Sequence, residues 1–372
     1  MREKVERRMR ITIFGLSVSS TWGNGHATLW RGLIRNLLDD GHHVTFFERD
    51  VPYYAANRDL AALPEGGRLV LYDNWADVLP VARAALAASD VGMVTSYCPD
   101  ALGAETLLRD SASALRCFYD LDTPVTLSRL GAGEAVPYVG PNGLRDYDLV
   151  LSYTGGPALG LLRTRLGARR AVPLYGSVDP DMHRPAAPRP SYRAHLSYIG
   201  TYAEDRQAAL EALFVEPARR LPAERFVIAG AQYPHTFPWT DNIFFVRHVP
   251  PTEHPAFYGS GRMTLNVTRN AMAAMGWCPS GRLFEAAACG VPILSDRWNG
   301  LADFFTPGQE ILLADGTETA LAALALPDGE LARIAQRARA RVLDEHSAQR
   351  RARELVATLE AALSRDVMSE EA

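Results

Sequence analysis

The chain has 372 residues, 47% of them hydrophobic and 22% charged, with a formal net charge of −4. These are ordinary globular values at a length that suits two domains. They exclude a global basic field for nucleic acid or anionic lipid, and no apolar run approaches the roughly 20 residues that span a bilayer.

The charged start "MREKVERRMR" is followed by no apolar signal-peptide core, which predicts a cytoplasmic protein. "RITIFG" (10–15) reads as a first strand. A polar loop, "SVSSTWGNGH", follows, longer than a simple packed turn needs. "ATLWRGLIRNLLDDG" (27–41) reads as a helix, with Leu29, Leu33, Leu37 and Leu38 on one face and Gly41 as the stop. "HVTFF", "RLVLY", "VGMVTS", "LRCFYD" and "DLVLSY" then recur as strands at roughly 25-residue intervals, the rhythm of βαβ units and a parallel sheet. "YGSVDPDMHRPAAPRPSYRAH" changes the texture to turn residues and prolines and reads as a linker.

A second alternation begins with "HLSYIG". It continues through a helix over 204–219, "RFVIAG", "IFFVRH", "MTLNVT", a helix over 280–289, "VPILSD" and "EILLA". Residues 328–365 have the composition and spacing of two helices, and "VMSEEA" reads as a polar, frayed end. The pattern predicts an α/β protein with two Rossmann-like domains. The expected bounds are 1–178, a linker over 179–194, a second domain over 195–345 and a terminal helix and tail over 346–372. Ligands of such sheets bind at the carboxyl ends of the strands, so a cleft between the domains is the expected site. The cysteines (Cys98, Cys117, Cys278, Cys289) have no CxxC or CxxH spacing and read as reduced and buried.

"SGRLFEAAACGVPILSD" (280–296) carries the most chemistry. Ser280 stands at the N-cap of its helix. Gly281 in the first turn lets a ligand approach the backbone, and the free N–H groups there attract an anion. Arg282 adds a fork suited to phosphate. Glu285 follows on the same side, placed to accept two hydroxyls of a ribose; the same spacing also suits a local Arg–Glu pair with no ligand. Gly200, Thr201 and Arg206 in "YIGTYAEDR", and Asn266 and Arg269 in "LNVTR", sit at two further strand ends. Three such ends fit one diphosphate.

The block "CPSGRLFEAAACGVPILSDRWNGLADFFTPGQEILLA" resembles the C-terminal domain of the CgeB-like glycosyltransferases, which have the GT-B fold. "GSVDPDMHRP" is similar to the interdomain segment of such enzymes, and "FGLSVSSTWGNGHATLWRGL" and "FYDLDTPVT" also look like that family. The resemblance implies two Rossmann-like domains facing each other across a cleft, with C-terminal helices. It implies sugar transfer from a nucleotide-diphosphate sugar, a co-substrate rather than a cofactor, to an acceptor hydroxyl. It matches Glu285 to the second glutamate of the Glu-x7-Glu motif, which holds the ribose. The first glutamate falls at Trp277 and is absent, which leaves retaining or inverting stereochemistry open. It matches Arg206 to a diphosphate contact with no obvious second basic partner, and His248 and Val249 to the loop that sandwiches the base. His248 also suits a surface strand end.

In the first half, His26 stands at a helix N-terminus, where the dipole favours neutral imidazole. It is the candidate base for the acceptor hydroxyl, as a histidine of this loop is in inverting GT-B enzymes. Asp122 or Asp120 of "FYDLDT" is the expected orienting group, and Trp22, Asn24 and Asp120 are the expected acceptor contacts. Trp22, Trp30, Tyr53 and Tyr54 suit either stacking on an acceptor or packing. The loop lacks GxGxxG spacing, which argues against a dinucleotide enzyme. "DLD" (120–122) would suit a metal in another transferase class, but arginines and helix N-termini can hold the diphosphate, so no essential metal is expected. Two other readings fit the pattern: an epimerase or hydrolase of sugar nucleotides on the same fold, and a non-catalytic assembly protein that kept it. No nucleic-acid partner is expected, and the acceptor is open.

Overall fold

The computed structural model describes residues 8–22, 24–111 and 114–370, with side chains through residue 364. The charged residues 1–7 and the last two residues of the polar end lie outside these. The chain divides into two compact units. One is Met1–Tyr175 with Ala348–Ala372, and the other is Gly176–Ser347.

The first unit runs β1 (Arg10–Gly15), α1 (Gly25–Asp39), β2 (His43–Arg49), α2 (Pro52–Ala55), β3 (Gly67–Tyr72), α3 (Trp75–Ala87) and β4 (Val91–Thr95). It continues with α4 (Ala101–Arg109), β5 (Leu115–Asp120), α5 (Thr123–Gly131), β6 (Leu149–Ser152), α6 (Pro157–Leu166) and β7 (Ala171–Pro173). The seven strands form one sheet in the order β3-β2-β1-β4-β5-β6-β7, and all its pairings are parallel. Strands covered by helices on both faces read as unbroken apolar runs, and β4 and β6 are buried at every position. The order reverses between β1 and β4, so the loops leaving those two strands diverge around a crevice, the usual ligand position in such sheets. α1 begins two residues before the expected helix and buries Leu29, Trp30, Leu33, Ile34 and Leu37 on the sheet, with Leu38 only partly buried beside them. β7 was not expected from the sequence; its short apolar run is cut by Pro173.

The second unit runs β8 (Leu196–Ile199), α7 (Gln207–Leu210), a π-helical turn (Glu211–Val215), α8 (Glu216–Arg220), β9 (Phe226–Ala229), β10 (Ile243–Val246) and α9 (His254–Ser260). It continues with β11 (Thr264–Asn266), α10 (Asn270–Met275), α11 (Gly281–Ala288), β12 (Ile293–Ser295), β13 (Leu312–Leu313), α12 (Thr317–Leu324) and α13 (Asp328–Glu345). Its sheet has the order β10-β9-β8-β11-β12-β13 and is again all parallel. The reversal here lies between β8 and β11. α11 stops at Gly290, whose φ of 77° is the left-handed turn a glycine adopts freely.

Two expectations about organisation change. The Pro-rich stretch 179–194 groups with the second unit rather than standing between two units. The terminal helix α14 (Ala348–Glu370) belongs to the first unit. Its Ala352, Leu355, Leu359 and Ala362 enter the same core as the face of α1. The helix also extends to Glu370, so it takes in most of the expected polar end. The four cysteines are buried and form no disulfide among the described residues, as their spacing suggested. No helix among the described residues is long and apolar enough to cross a membrane.

Candidate functional site

In the second unit the strand ends of β8 and β11 and the N-terminus of α11 carry the expected residues. Arg206, 6% exposed, donates from Nη1 to the Tyr198 hydroxyl (3.1 Å) and from Nη2 to the Thr201 carbonyl (2.6 Å). Its Nε is buried without a hydrogen-bond partner among the described residues. Arg282 approaches the same Tyr198, its guanidinium 5.8 Å from the ring centre. Burial and then the charge of Arg282 lower the pKa of Arg206. Neither arginine has a carboxylate within ion-pairing distance among the described residues. Two guanidinium groups held close together with no direct ion pair repel each other and attract an anion.

The other expected donor residues have narrower roles. Asn266 is buried; its Oδ1 accepts from Arg282 Nη1 at 3.0 Å and its Nδ2 donates to Ser295 (3.0 Å). It aims the arginine. Arg269 pairs with Asp205 at 3.2 Å, and its charge adds, after burial and Arg282, to the lowering of the Arg206 pKa. Gly200 packs under the Tyr198 hydroxyl, which an added Cβ would meet at 2.9 Å. Ser280 occupies the N-cap position, but its side chain makes no capping bond; its carbonyl accepts from Leu283 N at 3.0 Å. Gly281 has ordinary room: an added Cβ would find only Glu285 Oε1, at 3.8 Å. Internal packing does not demand this glycine. His248 is exposed and Val249 buried. Trp277, where the motif glutamate is missing, has φ 45° and donates from its indole to Asp303 at 2.6 Å.

Glu285 lies one turn into α11. Tyr258 donates to its Oε2 at 3.4 Å, and His254 Nδ1 stands 3.9 Å from the same oxygen. Burial lowers the pKa of His254, against the opposing pull of Glu285. The sequence reading missed His254 and Tyr258, although their i, i+4 spacing puts both on one helix face.

In the first unit the loop between β1 and α1 is tied down by a residue the sequence reading passed over. Glu48, fully buried at the end of β2, accepts from Val18 N (2.7 Å), Ser19 N (2.9 Å), Ser17 Oγ (2.8 Å) and Ser19 Oγ (2.6 Å). The run of loop hydroxyls was the available signal: each needs an acceptor. Asn24 is buried and caps α1, accepting from His26 N at 3.1 Å and donating to the Ser20 carbonyl. Its side chain is thus committed to the loop and not offered to an acceptor. Trp22 and Tyr53 are exposed, Tyr54 stacks edge-on against Tyr53, and Trp30 is core between Phe46 and Tyr119.

Burial lowers the pKa of His26 to about 4, which keeps the ring neutral at pH 7. Its Nδ1 is buried without a hydrogen-bond partner among the described residues. Asp122 does not bond the ring. Tyr97 stands between them, its ring 5.6 Å from the imidazole centre and its hydroxyl donating to Asp122 Oδ2 at 2.9 Å. Tyr97 has φ 63°, a left-handed backbone that a bulky residue rarely adopts. Asp120 is fully buried and so is not an acceptor contact. It accepts from Asp122 N (3.1 Å) and Thr126 Oγ1 (3.1 Å), and burial raises its pKa to about 6.

Residues 206–357 match the family model described as glycosyl transferase-like. No curated protein matches the chain. Among solved structures, sucrose-phosphate synthase from Thermosynechococcus elongatus is similar at a TM-score of 0.68 and 14% identity, over 98% of this chain and 100% of that one. Anabaena HepE, in complex with UDP and glucose, is similar at 0.64 and 12%, over 95% and 100%. The catalytic domain of starch synthase IV from Arabidopsis thaliana, bound to ADP and acarbose, is similar at 0.65 and 13%, over 96% and 100%. The chain has the GT-B fold.

Proposed function

We propose that the protein is a glycosyltransferase that moves a sugar from a nucleotide-diphosphate sugar to an acceptor hydroxyl. The observation that carries this reading is the Arg206–Arg282 pair, gathered on Tyr198 without a carboxylate partner, one helical turn from Glu285. The arginines and the N–H groups of the first turn of α11 take the diphosphate and stabilise it as it leaves. Glu285 accepts the two ribose hydroxyls, and the loop at His248 and Val249 borders the base. UDP and ADP are the first donors to try, since structural relatives hold them. With two guanidinium groups at the diphosphate, transfer needs no metal.

The acceptor belongs to the first unit. His26, neutral above about pH 4, takes the hydroxyl proton, and Tyr97 and Asp122 position the ring. The test is release of nucleoside diphosphate from a panel of donors, with and without hydroxylic acceptors, in the presence of EDTA. Acceptor-dependent release that falls by about 100-fold or more in His26→Ala, with donor affinity unchanged, supports the assignment. Equal release without any acceptor would replace it with hydrolysis.

A further inference from the structure

His183, His254 and Glu285 come from three separate segments of the second unit: the Pro-rich stretch, α9 and α11. One ligating atom of each lies within 4.8 Å of the others. His183 is 2% exposed, and neither of its ring nitrogens has a hydrogen-bond partner among the described residues. Buried imidazoles normally satisfy at least one nitrogen, because a buried polar group left without a partner loses its hydration with nothing in return. His254 Nε2 lies 3.2 Å from the Val249 carbonyl. A carbonyl only accepts, so Nε2 carries the proton and Nδ1 of the neutral ring is a lone pair. That lone pair faces Glu285 Oε2 at 3.9 Å. Two acceptors face each other, and a cation bound by both turns their repulsion into attraction.

We propose that His183, His254 and Glu285 form a binding site for a divalent first-row transition cation. Two imidazoles and a carboxylate are the three-ligand set of zinc sites that keep a fourth position open. Imidazole favours zinc, cobalt, nickel and copper over magnesium and calcium. Bonds of about 2.0–2.2 Å place tetrahedral donor atoms roughly 3.3 Å apart, so side-chain movements of about an ångström close the set. The Val249 carbonyl on His254 is the outer contact that ligating histidines make, fixing tautomer and ring orientation. The cation engages the carboxylate assigned above to the ribose, so metal and nucleotide exclude each other and the metal inhibits. That exclusion rests on the proposed function; metal binding itself does not.

The test is titration of Co2+ into the chelator-stripped full chain, followed by visible absorption, with Zn2+ displacement giving its affinity. The expected result is one ion per chain with the spectrum of nitrogen and oxygen ligands. His183→Ala and His254→Ala should each weaken binding by more than the roughly 10–100-fold that loss of an outer contact costs. The exposed His235 supplies a control, His235→Ala, which leaves binding unchanged. No stoichiometric uptake by the wild-type chain, or uptake unchanged in His183→Ala, overturns the site. Circular dichroism and nucleotide binding in EDTA show that His183→Ala is folded. His183 is not among the proposed donor contacts, so this variant separates failure of the metal site from failure of the donor assignment.

Discussion

Gly281 and Glu285 make different demands on one helical turn. On the proposed donor site, Glu285→Ala removes the acceptor of two ribose hydroxyl hydrogen bonds, each worth about 1.5–3 kcal/mol to a charged group. Nucleoside diphosphate affinity should fall about 100-fold or more by calorimetric titration, with the melting temperature preserved. Gly281→Ala should do the opposite to stability. The added methyl has ordinary room, and alanine is favoured in a helix by about 1 kcal/mol. The melting temperature should hold or rise while nucleotide binding weakens, because the methyl stands where the ligand approaches. A glycine kept for internal packing would show the reverse. Asp120 gives a pH test. Its folded pKa of about 6 lies above its unfolded value of 3.8, so the folded state binds the extra proton between those values. Its contribution to stability is therefore present below about pH 4 and lost as pH rises through about 6. Urea midpoints should show Asp120→Asn gaining on the wild type between pH 4 and pH 7; a difference that does not change with pH contradicts this.

At the scale of elements, the β1–α1 loop depends on Glu48 and Asn24, neither of which faces solvent. Asn24→Ala removes the α1 cap, at about 1 kcal/mol, and should lower turnover by displacing His26 while donor binding stays intact. The strands were legible because strands buried on both faces read as continuous apolar runs; β1, β2, β4, β5, β8 and β9 all follow "RITIFG"-like segments. β7 and α10 were not, since Pro173 cuts the run of β7 and six residues are too few for a helical period to show. Arg206, Arg282 and Glu285 could be singled out from sequence because they sit just after a strand, in the first turn of a helix and one turn further along it. Tyr97, Glu48, His183 and His254 could not, because their meaning comes from partners far away in the chain. The position of Asn266 was readable but its role was not: only the fold shows its carbonyl oxygen spent on Arg282.

At the scale of the whole molecule, the chain ends in the unit where it began. α14 contributes Leu355 and Leu359, both buried, to the core under α1, and burying two leucines stabilises by roughly 3–6 kcal/mol. That is a large share of the stability of a typical domain. Truncation after Ser347 should therefore destabilise residues 8–175 while leaving 176–347 folded. Hydrogen exchange would show lost protection in β1 and α1 and retained protection in β8 and β11. A terminal helix read from sequence as an appendage would predict no such loss.

The central claim is that the second unit binds a nucleoside diphosphate through Arg206, Arg282 and Glu285. It is tested most directly by thermal stabilisation of the full chain with UDP, ADP, GDP, CDP and dTDP in EDTA, with NAD as a control. A ligand at 100 times its Kd stabilises by about 2.7 kcal/mol, a shift readily measured. The account predicts a rise with at least one nucleoside diphosphate, no rise with NAD, and loss of the rise in Arg282→Ala and Glu285→Ala. A folded protein that responds to no nucleoside diphosphate, or whose response survives both substitutions, would contradict it.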